Sequence, residues 1–157
     1  MAAKKKKKEY DIEIVNRRAS FEYHFIELFE AGIALTGTEI KSVRQSQVSL
    51  KDAYCFFKDG ELYVKNLYIK EYEHATHFNH EPRRTRKLLL KKGELKKLLR
   101  RVKERGFTIV PYRMYVNERG LAKLEIALAQ GKKVYDKRES LRAKDQKREL
   151  ERIKKYR

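Results

Sequence analysis

The sequence predicts a mainly β fold: an OB-like closed antiparallel barrel with flanking α-helices and a flexible basic C-terminal tail. Three observations carry that prediction. Apolar, β-prone runs recur between residues 21 and 129 and are parted by turn signals, while two segments switch to helical spacing. The chain has 157 residues, 41% of them hydrophobic, which supplies one modest core. A strand, a short helix and then a run of strands suits a ferredoxin-like sandwich poorly, whereas closing the strands removes their edges. The expected organisation is a weakly ordered basic arm over residues 1–15, a barrel over 16–135 and a tail over 136–157.

Taken in order, Lys4–Lys8 is a cationic run whose self-repulsion opposes packing. Phe21, Tyr23 and Phe25 alternate with polar residues, as in a half-buried strand. The parity then shifts at Ile26, Leu28 and Phe29, which predicts a bulge. Thr36 and Glu39 stand at capping-box spacing ahead of a short helix buried through Ile40 and Val43. Ala53–Phe57 and Leu62–Asn66 flank Asp59-Gly60, a hairpin-turn pair. Leu95, Leu98, Leu99 and Val102 mark one face of an amphipathic helix, with Gly106 as its stop. Strands follow at Phe107–Val116 and Leu121–Ala129, around a turn at Asn117–Gly120. From about Asp136 the chain is rich in helix formers but thin in apolar residues, so it is expected to order on a partner.

The charge narrows the function. Forty Lys and Arg stand against 22 Asp and Glu, a net charge of +18. The excess is clustered at Lys4–Lys8, at Arg17-Arg18, at Arg83-Arg84-Thr85-Arg86-Lys87 and at Lys132-Lys133. From Gly131 onward, twelve Lys and Arg face five Asp and Glu, a net of +7 in 27 residues. Several separate basic clusters on one small chain point to a polyanion, with nucleic acid ahead of a membrane surface. Cys55 is the one cysteine, so no internal disulfide is expected and a cytoplasmic home fits. No apolar run approaches the ~20 residues of a membrane span.

Catalytic patterns are sparse. Gly131-Lys132-Lys133 lacks the remainder of a phosphate-binding loop. His74, His77 and His80 recur every third residue, but Pro82 and the poor helix formers between them favour a solvated loop over a zinc site. No cofactor or metal is expected, nor is an enzyme. In the basic stretch before Leu88, Leu89 and Leu90, the leucines would anchor the segment and so fix where Arg84, Arg86 and Lys87 point. Tyr10, Tyr54, Tyr63, Tyr68, Tyr72, Tyr112, Tyr115 and Tyr135 are candidates for stacking on bases. These features alone leave open a general ribosome-associated RNA-binding or RNA-chaperone protein.

Further stretches give the chain a family likeness. They are Asn16-Arg17-Arg18-Ala19, Phe29 to Leu35 with Gly37, Glu39-Ile40-Lys41-Ser42-Val43-Arg44, Arg84 to Leu90, and Gly131-Lys132-Lys133 leading into Asp136-Lys137-Arg138. In that order and across residues 16–138, the sequence resembles the SsrA-binding proteins (small protein B), bacterial partners of transfer-messenger RNA. The resemblance implies binding to the tRNA-like domain of that RNA and delivery, with elongation factor Tu, to stalled ribosomes for trans-translation. It implies that the tail enters the vacant decoding centre and mRNA channel. It places RNA-binding positions on Asn16, Glu30, Leu89 and Lys123, beside the basic Arg17, Arg18, Arg84, Arg86, Lys87, Lys132 and Lys133. The ribosome-binding positions of the tail are Asp136, Lys137, Arg138, Ile153 and Lys154. Departures from the family pattern are Gln45-Ser46-Gln47, where a basic-x-Gly-Lys stretch is usual, and Gln130, where lysine is usual.

Overall fold

The structure is a computed structural model that describes residues 12–104, 106–132 and 134–155. Its elements run β1 (Glu13–Val15), α1 (Arg17–Glu22), β2 (Tyr23–Ile33), α2 (Gly37–Arg44), β3 (Val48–Ser49), β4 (Tyr54–Lys58) and β5 (Glu61–Lys65). Then come β6 (Tyr68–Ile69), β7 (Arg86–Leu89), α3 (Lys92–Val102), β8 (Phe107–Val116), β9 (Ala122–Gly131) and α4 (Val134–Lys155). The main sheet has the order β1-β8-β4-β5-β7-β2-β9, and β8 also pairs with β9. Six strands therefore form a closed ring of antiparallel pairings, with β1 attached outside it on β8. The architecture is a mainly β sheet with flanking helices.

Local chemistry explains several elements. The Thr36 amide donates to Glu39 Oε1 at 2.9 Å, completing the capping box that starts α2. Asp59 and Gly60 both take positive φ, +52° and +76°, which matches a two-residue hairpin whose turn follows the strand twist. Asn117 Oδ1 accepts from the amides of Arg119 and Leu121, closing the β8–β9 turn. In α3, Leu98 is fully buried while Leu95 and Val102 pack at the core margin.

Two readings needed correction at the N-terminal side. Residues 13–15, inside the segment expected to be weakly ordered, form β1 and pair with Arg113–Tyr115. Phe21 lies in α1 and not in a strand, because Asn16 caps a helix there: its Oδ1 accepts from the Ala19 amide at 3.2 Å. The bulge expected near residue 26 is present, between Phe25 and Glu27. Side chains alternate along a strand, so one extra residue exchanges the faces. Tyr23 and Phe25 consequently pack outside the ring, with Ala19, Val110, Ala127 and Ala129. Phe29, Ala31 and Ile33 face the main core beyond the bulge. Fully buried Leu62, Leu67, Leu88, Met114, Leu124 and Ile126 fill that core, each contributing on the order of 1.5–3 kcal/mol by leaving water.

The core holds one ion cluster. Glu39 and Arg86 are both completely buried and bonded to each other, and Arg84 Nη2 donates to Glu39 Oε1 at 2.6 Å. Arg86 also donates to the carbonyls of Leu67, at 2.7 Å, and Pro82, at 3.2 Å. Burial raises the Glu39 carboxyl, but hydrogen bonds from Arg84, the Thr36 amide and Arg86 outweigh it and hold it below its ordinary value. Cys55 is buried, and loss of hydration pushes its thiol far up.

Candidate nucleic-acid interface

Three adjacent strands build the main candidate site. Gly32 of β2 is in register with Leu89 of β7 on one side and Lys123 of β9 on the other. Neighbouring strands lie about 4.8 Å apart, so the three residues form one short row across the sheet. Glu30, two residues before Gly32, shares its face. An open cleft of about 540 Å³ is lined by Glu30, Gly32, Leu89, Leu90, Lys91, Glu94 and Lys123. A second hollow shares Gly32, Leu89 and Lys123 and continues past Leu121 and Arg44. Together they make one groove along β7, β2 and β9.

Glycine is required at position 32 by close approach. A Cβ there would lie 3.3 Å from the Cβ of Leu89. The missing side chain leaves room above the sheet, and Leu89 stands 54% exposed as the groove's apolar floor. Lys91 and Lys123 have no ion-pair partner among the described residues. Their ammonium groups are therefore available to an anion.

Glu30 has a supporting network on the same outer face. Its carboxylate accepts the hydroxyl of Tyr115 on β8, and Tyr115 is in register with Lys123. Burial and the hydrogen bond to Glu30 push the Tyr115 phenol up to about 12, so it stays a proton donor at neutral pH. The Arg113 guanidinium lies 4.6 Å over the Tyr115 ring and pairs with Glu125 at 3.0 Å and Glu13 at 3.5 Å.

The other expected contacts lie elsewhere. Asn16, Arg18, Tyr23, Asp52 and Tyr54 line a separate cleft beside α1. Both amide hydrogens of Asn16 are engaged, with Leu50 O at 3.3 Å and Pro111 O at 3.1 Å, so Asn16 positions α1. Arg18 is tied to Glu22 at 2.9 Å. Arg17 lines a shallow cleft with Phe21 and with Leu141 and Lys144 of α4. Lys132 Nζ donates to the Ser20 carbonyl, and Lys87 lies 3.7 Å from Glu61. Arg86 was expected to face phosphate, and its placement corrects that: with no exposed surface and Glu39 as partner, it is part of the core. Arg84 shares that partner but keeps 38% of its side-chain surface.

In the tail, Lys137 and Arg138 lie on the first turns of α4, and Asp136, Ile153 and Lys154 fall on its backbone. Lys133 and the Lys4–Lys8 run lie outside the described residues. His80 is buried and structural. Its Nε2 donates to Ile69 O at 2.9 Å, which leaves Nδ1 to accept from the Thr38 hydroxyl at 3.0 Å. His74 and His77 are exposed, and the described residues contain no group of three or more metal-binding side chains. No helix among the described residues is long and apolar enough to cross a membrane.

Sequence reasoning missed Gly32, Lys91, Leu121 and the Tyr115–Arg113 support. A glycine inside a strand pattern was the one available signal, since it commonly marks a close approach.

Known proteins resemble this arrangement throughout. The sequence model described as SmpB protein matches residues 13–156. An SsrA-binding protein of Phocaeicola vulgatus is 59% identical over 90% of this chain and 95% of its own length. One from Cytophaga hutchinsonii is 54% identical over 91% and 94%, and one from Trichodesmium erythraeum 52% over 90% and 91%. A solved chain described under "tmRNA-SmpB: a journey to the center of the bacterial ribosome" is 49% identical, with a TM-score of 0.67. That match covers 83% of this chain and 94% of the solved one.

Proposed function

The chain belongs to the SmpB protein family, and from that premise we propose that it is an RNA-binding adaptor of trans-translation. It binds the tRNA-like domain of transfer-messenger RNA and, with elongation factor Tu, brings it to stalled ribosomes in the cytoplasm. The observation that carries this reading is the groove in which Glu30, Leu89 and Lys123, from three strands, line one surface. An apolar floor, a carboxylate acceptor and uncommitted lysines suit an unpaired stretch of a structured RNA. The relatives' shared name, SsrA-binding protein, and the solved tmRNA-SmpB neighbour point the same way.

In this reading the closed ring of strands is an OB-like barrel over residues 16–135, preceded by a basic arm over 1–15. The tail over 136–157 is the ribosomal module. Its helix α4 has 22 residues, a rod of about 33 Å. On a ribosome without message, it would present Lys137, Arg138 and Lys154 to rRNA phosphates in the decoding centre and mRNA channel. Asp136 and Ile153 complete that module, Ile153 by packing on an exposed base. The adaptor supplies recognition and needs no catalytic group.

The test is selectivity as a function of salt. Full-length protein is titrated with the isolated tRNA-like domain and with an unrelated structured RNA of equal length. The expected preference is about 100-fold or more, with log K falling linearly in log salt by roughly 0.7–0.9 per phosphate neutralised. Equal affinity for the two RNAs would instead make the protein a general RNA binder.

A further inference from the structure

We infer that the Glu30 cleft reads one unpaired guanine of the bound RNA, with Glu30 accepting from its Watson–Crick edge and Tyr115 holding that carboxylate in place. This inference rests on the RNA-binding reading above and names the base that the groove selects.

The argument is one of donors and acceptors. An ionised carboxylate only accepts hydrogen bonds, and its two oxygens prefer two donors side by side. Guanine presents that pair, N1–H and an N2 amino hydrogen, on its Watson–Crick edge. Adenine sets its N6 donor beside the N1 acceptor, and cytosine sets N4 beside the N3 acceptor. Uracil has one N–H between two carbonyl oxygens. Each of these three turns a lone pair towards a carboxylate. A lone glutamate in a basic RNA interface therefore repels phosphate and disfavours every base but one. The Watson–Crick edge is open only in an unpaired nucleotide.

The surroundings fit a base. Leu89, 54% exposed, offers an apolar surface to the ring face. Gly32, in register with Leu89, projects nothing into the space above the strand. Lys123, in register with Gly32 on the far side, has an ammonium for the nucleotide's phosphate. The cleft, at about 540 Å³, holds a purine with room to spare. Tyr115 occupies one lone pair of Glu30 and restricts its rotation. Arg113 stacked on the Tyr115 ring fixes the phenol in turn. A carboxylate fixed before binding loses little rotamer freedom on binding, and that preorganisation favours selectivity. Tyr115 is thus a positioning residue, remote from the base itself.

Inosine tests this, because it is guanosine without the N2 amino group. Each unpaired guanosine of the tRNA-like domain is replaced by inosine, one position at a time, and bound to full-length wild-type, Glu30→Gln and Tyr115→Phe proteins. At one position inosine should weaken wild-type binding about tenfold, the loss expected for one hydrogen bond to a charged acceptor. The same replacement should cost Glu30→Gln less than about twofold, since Gln has one acceptor and a donor that meets N1–H. Tyr115→Phe should bind the unmodified RNA more weakly and show a smaller inosine penalty than wild type. Glu30 is exposed, so Glu30→Gln should keep the wild-type melting temperature. If no guanosine is sensitive, or if wild type and Glu30→Gln lose equally at the sensitive one, the guanine assignment is wrong while the RNA-binding reading stands. If wild type does not prefer the unmodified tRNA-like domain over an unrelated RNA, both fail together.

Discussion

Replacing Arg86 by alanine lowers the folding stability by about 3–5 kcal/mol, the usual cost of breaking a buried ion pair from one side. The substitution leaves Glu39 fully buried with only the half-exposed Arg84 and the Thr36 amide beside it. It also strips partners from the carbonyls of Leu67 and Pro82. At this chain length the melting temperature should fall by about 10 °C. The double variant Glu39→Leu/Arg86→Met should recover most of that loss, because neither charge then remains buried. Thermal unfolding at pH 7 checks both. A wild-type-like melting temperature for Arg86→Ala would show that Glu39 is not committed to Arg86. The pH dependence has a definite sign. The folded Glu39 carboxyl is held below its ordinary value of 4.5, so the cluster's contribution is complete above that pH. It is lost as pH falls through the lower, folded value.

Ending the chain at Asp136 separates two activities. The truncation removes ten of the twelve basic residues that follow Gly131. At physiological salt the screening length is about 8 Å, so charges along a rod of about 33 Å act weakly on a groove built by β7, β2 and β9. Affinity for the tRNA-like domain should stay within about threefold of the full chain. Peptide tagging on stalled ribosomes should fall by about 100-fold or more, the usual loss when one of two linked binding modules is removed. Loss of both activities together would make the tail part of the RNA site. Parallel binding and tagging assays on the two proteins decide it.

What could be read from the chain alone was what is local. Thr36 and Glu39 are three residues apart, Asp59 and Gly60 are adjacent, and Leu95 to Val102 repeat with the period of a helix. Each pattern acts within one element, and each appears where expected. The bulge in β2 was legible for the same reason, as a change of parity along one strand. Placements that depend on distant partners were not. Arg86 reads as one cation among four in five residues, and only the fold brings it to Glu39, 47 positions earlier. Phe21 continues an alternating pattern, yet it sits in a helix because Asn16 is fixed by carbonyls of Leu50 and Pro111. The groove shows the same division. The resemblance supplied Glu30, Leu89 and Lys123 as separate positions, and the register of three strands makes them one surface. Tyr115 was one tyrosine of ten in the sequence. Its role needed the strand beyond β9.

The central claim is that this groove is where transfer-messenger RNA binds. The most direct measurement is the affinity of Leu89→Asp for the tRNA-like domain, set against Lys58→Gln. Both substitutions lower the net charge by one. Leu89 is 54% exposed, so an aspartate there leaves the core intact. Lys58 is exposed on the β4–β5 hairpin, away from the groove. An acidic group on the groove floor should weaken binding by about 30-fold or more, as at a binding hot spot. Lys58→Gln should change it by less than about threefold, as expected of a charge at the rim or beyond. Two small and equal losses would contradict the account and place the RNA on another face.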